Sequence, residues 1–352
     1  MSLAERSLLI VNRASGTGHG RDVVEKLRET FAGSLDGRTT LRVEIVDDHP
    51  CARTCAAEFM AASEAPALVV AGGGSGTLRA VIEGLCGEGR PPGRERVLVG
   101  ALRMGSGNPL ARQFGVPRDP EAALRGIAEN LRTGRTAPCC VMRCEAGALE
   151  GRSVTHYAAT MAGFGQFGRA PGDLERWHRR TSGPRAAMAR LSGIERMNNV
   201  EYIVALLIRS VWGAVLGRSV AEVIEVRAGD RKERLPLLAG VAMNFPIGEL
   251  PVDPGTWVEE EALSLYLAPF TGRSSALRLV LAPRRVFRSA IRIRIEGQER
   301  VEIRLVDRDA AVFFLDEDPV TFHGQLSLQI AGSLTFVPGP EYRFESEGDL
   351  RA

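Results

Sequence analysis

The sequence predicts an α/β N-terminal domain with a mostly parallel sheet, followed by a C-terminal antiparallel β-sandwich domain. Three observations predict it. Short apolar runs alternate with helical apolar spacing up to about Thr133. Past Thr136 nearly every segment reads as a strand broken by Gly and Pro. The chain has 352 residues, too many for one ordinary core and comfortable for two domains. The boundaries read as 1–135 for the α/β domain and 136–330 for the sandwich, with the segment near 330–345 returning to the first.

In the first domain, Leu8 to Asn12 is a short apolar strand ending in turn residues. Arg21 to Phe31 has helical spacing, with Val23, Val24, Leu27 and Phe31 on one face. Leu41 to Val46 alternates as a strand does, and Cys51 to Ser63 is Ala-rich and helical. Ala67 to Ala71 is a continuous apolar strand running into a turn from Gly72 to Thr77, with a helix from Leu78 to Leu85. Arg96 to Leu102 is a further strand and Pro120 to Thr133 a further helix.

In the second domain the expected strands are Ala137 to Arg143, Ser153 to Met161, Val220 to Val226, Leu237 to Asn244, Ala262 to Leu267, Ile291 to Ile295, Arg300 to Leu305 and Ala311 to Leu315. Alternation is plainest at Ile291-Arg292-Ile293-Arg294-Ile295, apolar on one face and basic on the other. One helical insertion is expected over 184–215. Its apolar stretch from Tyr202 to Gly217 is interrupted by Arg209 and falls short of the roughly 20 residues that span a bilayer.

Composition narrows the function classes. The chain is 44% hydrophobic and 25% charged, as globular proteins are. A net charge of +2 and only 6% aromatics argue against a nucleic-acid partner. The six cysteines lack metal-ligand spacing, so they read as reduced thiols of a cytoplasmic protein. No secretory apolar region is read at the N-terminus.

Three Gly-rich turns carry the chemistry. They are Asn12-Arg13-Ala14-Ser15-Gly16-Thr17-Gly18, Gly72 to Thr77, and Gly105-Ser106-Gly107-Asn108. Each follows a strand and precedes a helix, at the sheet edge where ligands of α/β folds bind. Glycines let amides approach phosphate oxygens, and a helix N-terminus adds partial positive charge. One such turn is commonly structural; three at one edge point to an anion site. None contains Gly-Lys-Ser/Thr, so this is not a Walker loop.

These motifs resemble the diacylglycerol kinase catalytic family, which includes sphingosine, ceramide and bacterial lipid kinases, and more distantly NAD kinases. Leu9-Ile10-Val11-Asn12 with Ser15-Gly16 looks like the family's opening strand and turn. Gly73-Gly74-Ser75-Gly76-Thr77, then Val81-Ile82-Glu83-Gly84-Leu85, looks like its Gly-Gly-Asp-Gly-Thr block. Gly105 to Arg112 resembles its Gly-Thr-Gly-Asn-Asp-Phe-Ala-Arg segment. Fainter likeness continues at Ala239 to Asn244, Glu260-Glu261-Ala262-Leu263, Asp316-Glu317-Asp318-Pro319 and Val337-Pro338. Ser75 stands where the family has its signature Asp, Pro109 where it has a second Asp, and Arg13 where it has Pro.

The resemblance implies an NAD kinase-like fold and an ATP- and Mg2+-dependent transfer of the γ-phosphoryl group to a neutral lipid such as diacylglycerol or a sphingoid lipid. Nucleotide contacts fall to Asn12, Ser15, Gly16, Gly73, Gly74, Ser75, Gly76, Thr77, Gly105, Ser106, Gly107 and Asn108. Asp316 is the implied general base with Asp318 beside it, and Glu260 and Glu261 are candidate metal ligands. Without the family, Asp316 to Asp318 reads equally as an acidic turn and Glu259 to Glu261 as a solvated run. Arg13 and Arg103 are candidate partners for phosphate charge. Arg176, Arg179, Arg180, Arg185 and Arg190, beside the apolar helix, suggest peripheral contact with anionic membrane lipids. The alternative is a catalytically impaired relative that binds nucleotide or lipid.

Overall fold

The computed structural model describes residues 4–16, 20–37, 39–62, 66–87, 89, 91–93, 96–105, 108–173, 206, 208, 211, 215, 221–247, 252–316 and 318–343. Two compact units are present. One comprises Met1–Val141, Val258–Glu260 and Ala331–Ala352; the other comprises Met142–Trp257 and Glu261–Ile330.

The first unit alternates strand and helix: β1 (Arg6–Asn12), α1 (Arg21–Ser34), β2 (Thr40–Val46), α2 (His49–Ala61), β3 (Ala67–Gly73), α3 (Ser75–Cys86), β4 (Val97–Arg103), α4 (Pro109–Gln113) and α5 (Pro120–Thr133). Its strands pair in parallel in the order β4, β3, β1, β2. Sequence chemistry sets the boundaries. Asp48 caps α2 by accepting from Cys51 N at 2.8 Å, with Pro50 in the first turn. Asp119 caps α5, and Gly134 ends it with φ 76, a conformation glycine adopts without strain. Burial follows the apolar runs: Leu8 to Val11 and Leu68 to Ala71 are wholly buried.

The second unit contains the outer half of β5 (Ala137–Gly147), then β6 (Ser153–Ala158), β7 (Met161–Phe164), β8 (Glu222–Ala228), β9 (Arg231–Met243), β10 (Ala262–Pro269), α6 (Arg273–Leu281), α7 (Pro283–Arg288), β11 (Ile291–Glu296), β12 (Arg300–Leu305), β13 (Ala310–Leu315), β14 (Asp318–His323) and the start of β15 (Gln325–Phe336). Strand order is β14, β13, β7, β9, β8, β12, β15, and β10 joins β9 to β11. Every pairing within it for which a register is given is antiparallel. At Ile291 to Ile295 the alternation holds: Ile293 and Ile295 are buried while Arg292 and Arg294 are exposed. β15 then enters the first unit, where Thr335 and Phe336 pair in parallel with Leu98 and Val99 of β4.

The structure corrects several sequence boundaries. β3 runs through Gly73 and α3 begins at Ser75, so Ser75 to Thr77 form a helical turn rather than a loop. The strand expected over Ser153 to Met161 is two strands, broken at Ala159 and Thr160. Two helices, α6 and α7, stand where no helix was expected. β15 ends at Phe336, before Val337-Pro338. Of the helical insertion over 184–215, only residues 206, 208, 211 and 215 are described, and all four are helical. The arginines from 176 to 190 lie outside the described residues.

Candidate functional site

In the first unit β1, β3 and β4 end side by side at Asn12, Gly73 and Arg103, and the turns leaving them touch. Gly74 N donates to Ser15 Oγ at 3.3 Å, and Asn12 Nδ2 donates to Thr77 Oγ1 at 3.0 Å. The hydroxyls of Ser15 and Thr77 lie 3.4 Å apart. Met104 N and Gly105 N both donate to Gly73 O at 3.1 Å. Asn108, left-handed at φ 53, donates through Nδ2 to Gly105 O at 2.7 Å.

Close approach explains the glycines. A Cβ on Gly105 would strike the Gly74 backbone, and one on Gly16 would lie 2.6 Å from Met104 O. Gly16 also has φ +62, which penalises any other residue. Gly16 is exposed, and Ser15, Gly74, Gly76 and Gly105 are half-buried, so one strip of backbone is open at the strand ends. Thr17, Gly18, Ser106 and Gly107 lie outside the described residues.

Several amides here are already used: Ala14 N by Asn12 Oδ1, Ser15 N by Asn12 O, and Gly74, Met104 and Gly105 as above. The start of α3 differs. Its first backbone bond is Leu78 N to Gly74 O, and no side chain caps it. The amides of Ser75, Gly76 and Thr77 therefore form the open donor set of a helix N-terminus. In the same turn, Ser75 Oγ is buried and without a hydrogen-bond partner. Leaving such a group unsatisfied costs about 1–3 kcal/mol, which an anion would recover.

The charge around this turn suits phosphate rather than metal. The three loops, 12–20, 72–78 and 103–109, contain no Asp or Glu. Arg13 is ion-paired with exposed Asp47, and Arg103 donates to Val116 O at 3.3 Å, so both expected phosphate partners have protein contacts. Glu260 and Glu261 are exposed in the bend before β10. Among the described residues no group of three or more His, Cys, Asp or Glu side chains is placed to hold a metal ion. The residues present thus fit a polyphosphate chain and do not form a cation cage.

In the second unit Asp316 opens the turn between β13 and β14 with φ 46. Its buried carboxylate accepts from Ala159 N, Thr160 N and Met161 N, each at 2.9 Å, while its own N–H donates to Met161 O. Three amides converging on one carboxylate explain the break between β6 and β7, because those N–H groups face Asp316 instead of a ladder. Asp318 is the half-buried first residue of β14, paired with Leu315. Sequence reasoning missed Gln166, in the helical turn after β7. It is 2% exposed, and neither end of its amide has a partner. No spacing or motif marks it; only burial without bonding does.

Residues 6–139 match the model of the diacylglycerol kinase catalytic domain family. Proteins from two strains of Pseudomonas aeruginosa, each named "Probable lipid kinase YegS-like", are 34% identical over 115 residues, 32% of this chain. The matched part is 36% of their length. A crystal structure of a diacylglycerol kinase from Bacillus anthracis strain Sterne superposes with a TM-score of 0.59 at 15% identity, covering 96% of this chain and 98% of that one. A second structure from the same strain reaches 0.65 at 15% identity, covering 96% and 99%. The likenesses to the two solved structures extend over both units and carry the fold.

Proposed function

We propose, with residues 6–139 as a diacylglycerol kinase catalytic domain, that this chain is a lipid kinase that moves the γ-phosphoryl group of ATP to a hydroxyl of a neutral lipid such as diacylglycerol or a sphingoid lipid. The observation that supports it most is the uncapped start of α3, with the orphaned Ser75 hydroxyl, at the meeting point of three glycine turns. Phosphoryl transfer asks a protein mainly for positioning and charge stabilisation. In this reading the amides of Ser75, Gly76 and Thr77 hold the triphosphate, and Ser75 Oγ adds a hydroxyl donor. A divalent cation enters with the nucleotide rather than on carboxylates of these loops.

The acceptor hydroxyl falls to Asp316 in this reading. The three amides fix its carboxylate in place, and its task is to accept the hydroxyl's hydrogen bond and orient the nucleophile. The test is incubation of the purified chain with labelled ATP, Mg2+ and a mixed lipid extract. A labelled lipid is expected; tight ATP binding with no labelled product under any lipid would refute kinase activity. Gly74→Val tests the phosphate site. Gly74 is extended, and a Cβ there would meet only Gly105 Cα at 3.6 Å, an ordinary contact, so a thermal melt beside the parent separates lost affinity from lost fold. ATP affinity is expected to fall at least about tenfold, the equivalent of about 1.4 kcal/mol. Unchanged affinity by calorimetry would move the phosphate site elsewhere.

A further inference from the structure

The helix pair α6 and α7 carries an unusual surface. Residues 271–290 contain five arginines and no acidic residue. Arg273, Arg278, Arg284, Arg285 and Arg288 are all exposed, and none makes an ion pair among the described residues. This contrasts with the arginines on nearby strands, such as Arg294 with Glu296 and Arg300 with Glu145. Leu277 and Leu281 lie one helical turn apart on α6 and are 37% and 77% exposed. Leu281, where α6 turns into α7, is the most exposed large apolar side chain among the described residues.

The opposite side of the pair is anchored. Ser275, Ala276 and Leu279 of α6 and Val286 and Phe287 of α7 are buried. The pair is therefore a packed platform, with arginines around a leucine tip. We propose that this platform docks on an anionic lipid surface, with Leu281 entering the headgroup region and the arginines meeting lipid phosphates. Charge selects the partner: five unneutralised guanidinium groups repel cationic and tolerate neutral surfaces poorly once desolvated. The leucine tip separates a bilayer from other polyanions, because a nucleic acid backbone or an acidic peptide offers Leu281 no apolar phase. This inference does not rest on the kinase reading, and it places membrane contact on a different element from the basic segment at 176–190.

The experiment is co-sedimentation of the full chain with phosphatidylcholine vesicles, with and without phosphatidylglycerol. Binding is expected only with the anionic lipid, and it should weaken as salt rises. The double change Arg284→Glu with Arg285→Glu, and separately Leu281→Asp, should each lower partitioning at least about tenfold. Both sets are solvent-facing, so thermal melts and calorimetric ATP affinity should match the parent, which guards against misfolding as the cause. Equal binding to neutral vesicles, no vesicle binding, or variants that bind as the parent does would each overturn the proposal. So would a chain that ignores vesicles but binds single-stranded RNA through these arginines.

Discussion

At the scale of single residues, the proposed chemistry rests most on Asp316 and Ser75. Asp316 holds three backbone amides and, in the proposed reading, also meets the acceptor hydroxyl, and one substitution bears on both. Asn in its place keeps one acceptor oxygen and turns an NH2 group toward backbone donors at Ala159 to Met161. Hydrogen bonds to a charged group are worth about 1.5–3 kcal/mol, so Asp316→Asn should lower the melting temperature by several degrees as well as lipid labelling. Its ATP affinity should stay at the parent value, because the turn proposed to hold phosphate is in the other unit. A variant that loses labelling yet melts like the parent would show that the three amides do not depend on the charge. Ser75→Asp tests the acid-free turn. A carboxylate there repels free ATP, so affinity in EDTA should fall about tenfold, with Mg2+ restoring it. The parent should bind ATP in EDTA within a few fold of its affinity in Mg2+. A parent that needs Mg2+ to bind would mean that a cation ligand lies outside the loops discussed. The sequence marks Ser75 as a candidate phosphate donor, but its lack of a partner was not readable there, because bonding depends on where α3 starts.

At the scale of elements, apolar periodicity carried most of the fold. The parallel strands β1, β3 and β4 are buried on both faces and read as continuous apolar runs, so they were legible. Gly84 shows what periodicity omits. A Cβ there would run into Arg53 O, so its role is the close packing of α2 on α3, visible only once both helices are placed. α6 and α7 escaped detection for a related reason. α6 has nine residues and α7 six, and their exposed positions hold Leu277 and Leu281 as well as arginines. That mixture breaks the apolar stripe on which a helix assignment rests. The break between β6 and β7 was hidden because its cause, Asp316, is more than 150 residues away, at separations of 155 to 157. Local sequence holds no signal for it.

At the scale of the whole molecule, the segment that carries the family match does not hold its own fold complete. The first unit takes in Ala331–Ala352, far beyond residue 139. β15 adds its last residues as a parallel strand beside β4. Phe336 stacks on Phe114 with ring centroids 4.2 Å apart and is 1% exposed. Asn130, buried in α5, donates to Pro338 O at 2.9 Å, and Gly126 meets the Pro340 ring so closely that a Cβ would collide with it. A fragment ending at residue 141 would expose the edge of β4, the Phe114 ring and an unsatisfied Asn130 amide. Truncating one buried Phe to Ala costs about 3–5 kcal/mol, and a domain has only about 5–15 kcal/mol in all. Phe336→Ala in the full chain should therefore weaken ATP binding through partial unfolding of this unit, and the effect should grow with temperature. The fragment 1–141 alone should show no cooperative melt by circular dichroism. A fragment that melts cooperatively and binds ATP as the full chain does would mean that the returning segment is dispensable, and that the parallel sheet is complete without its fifth strand.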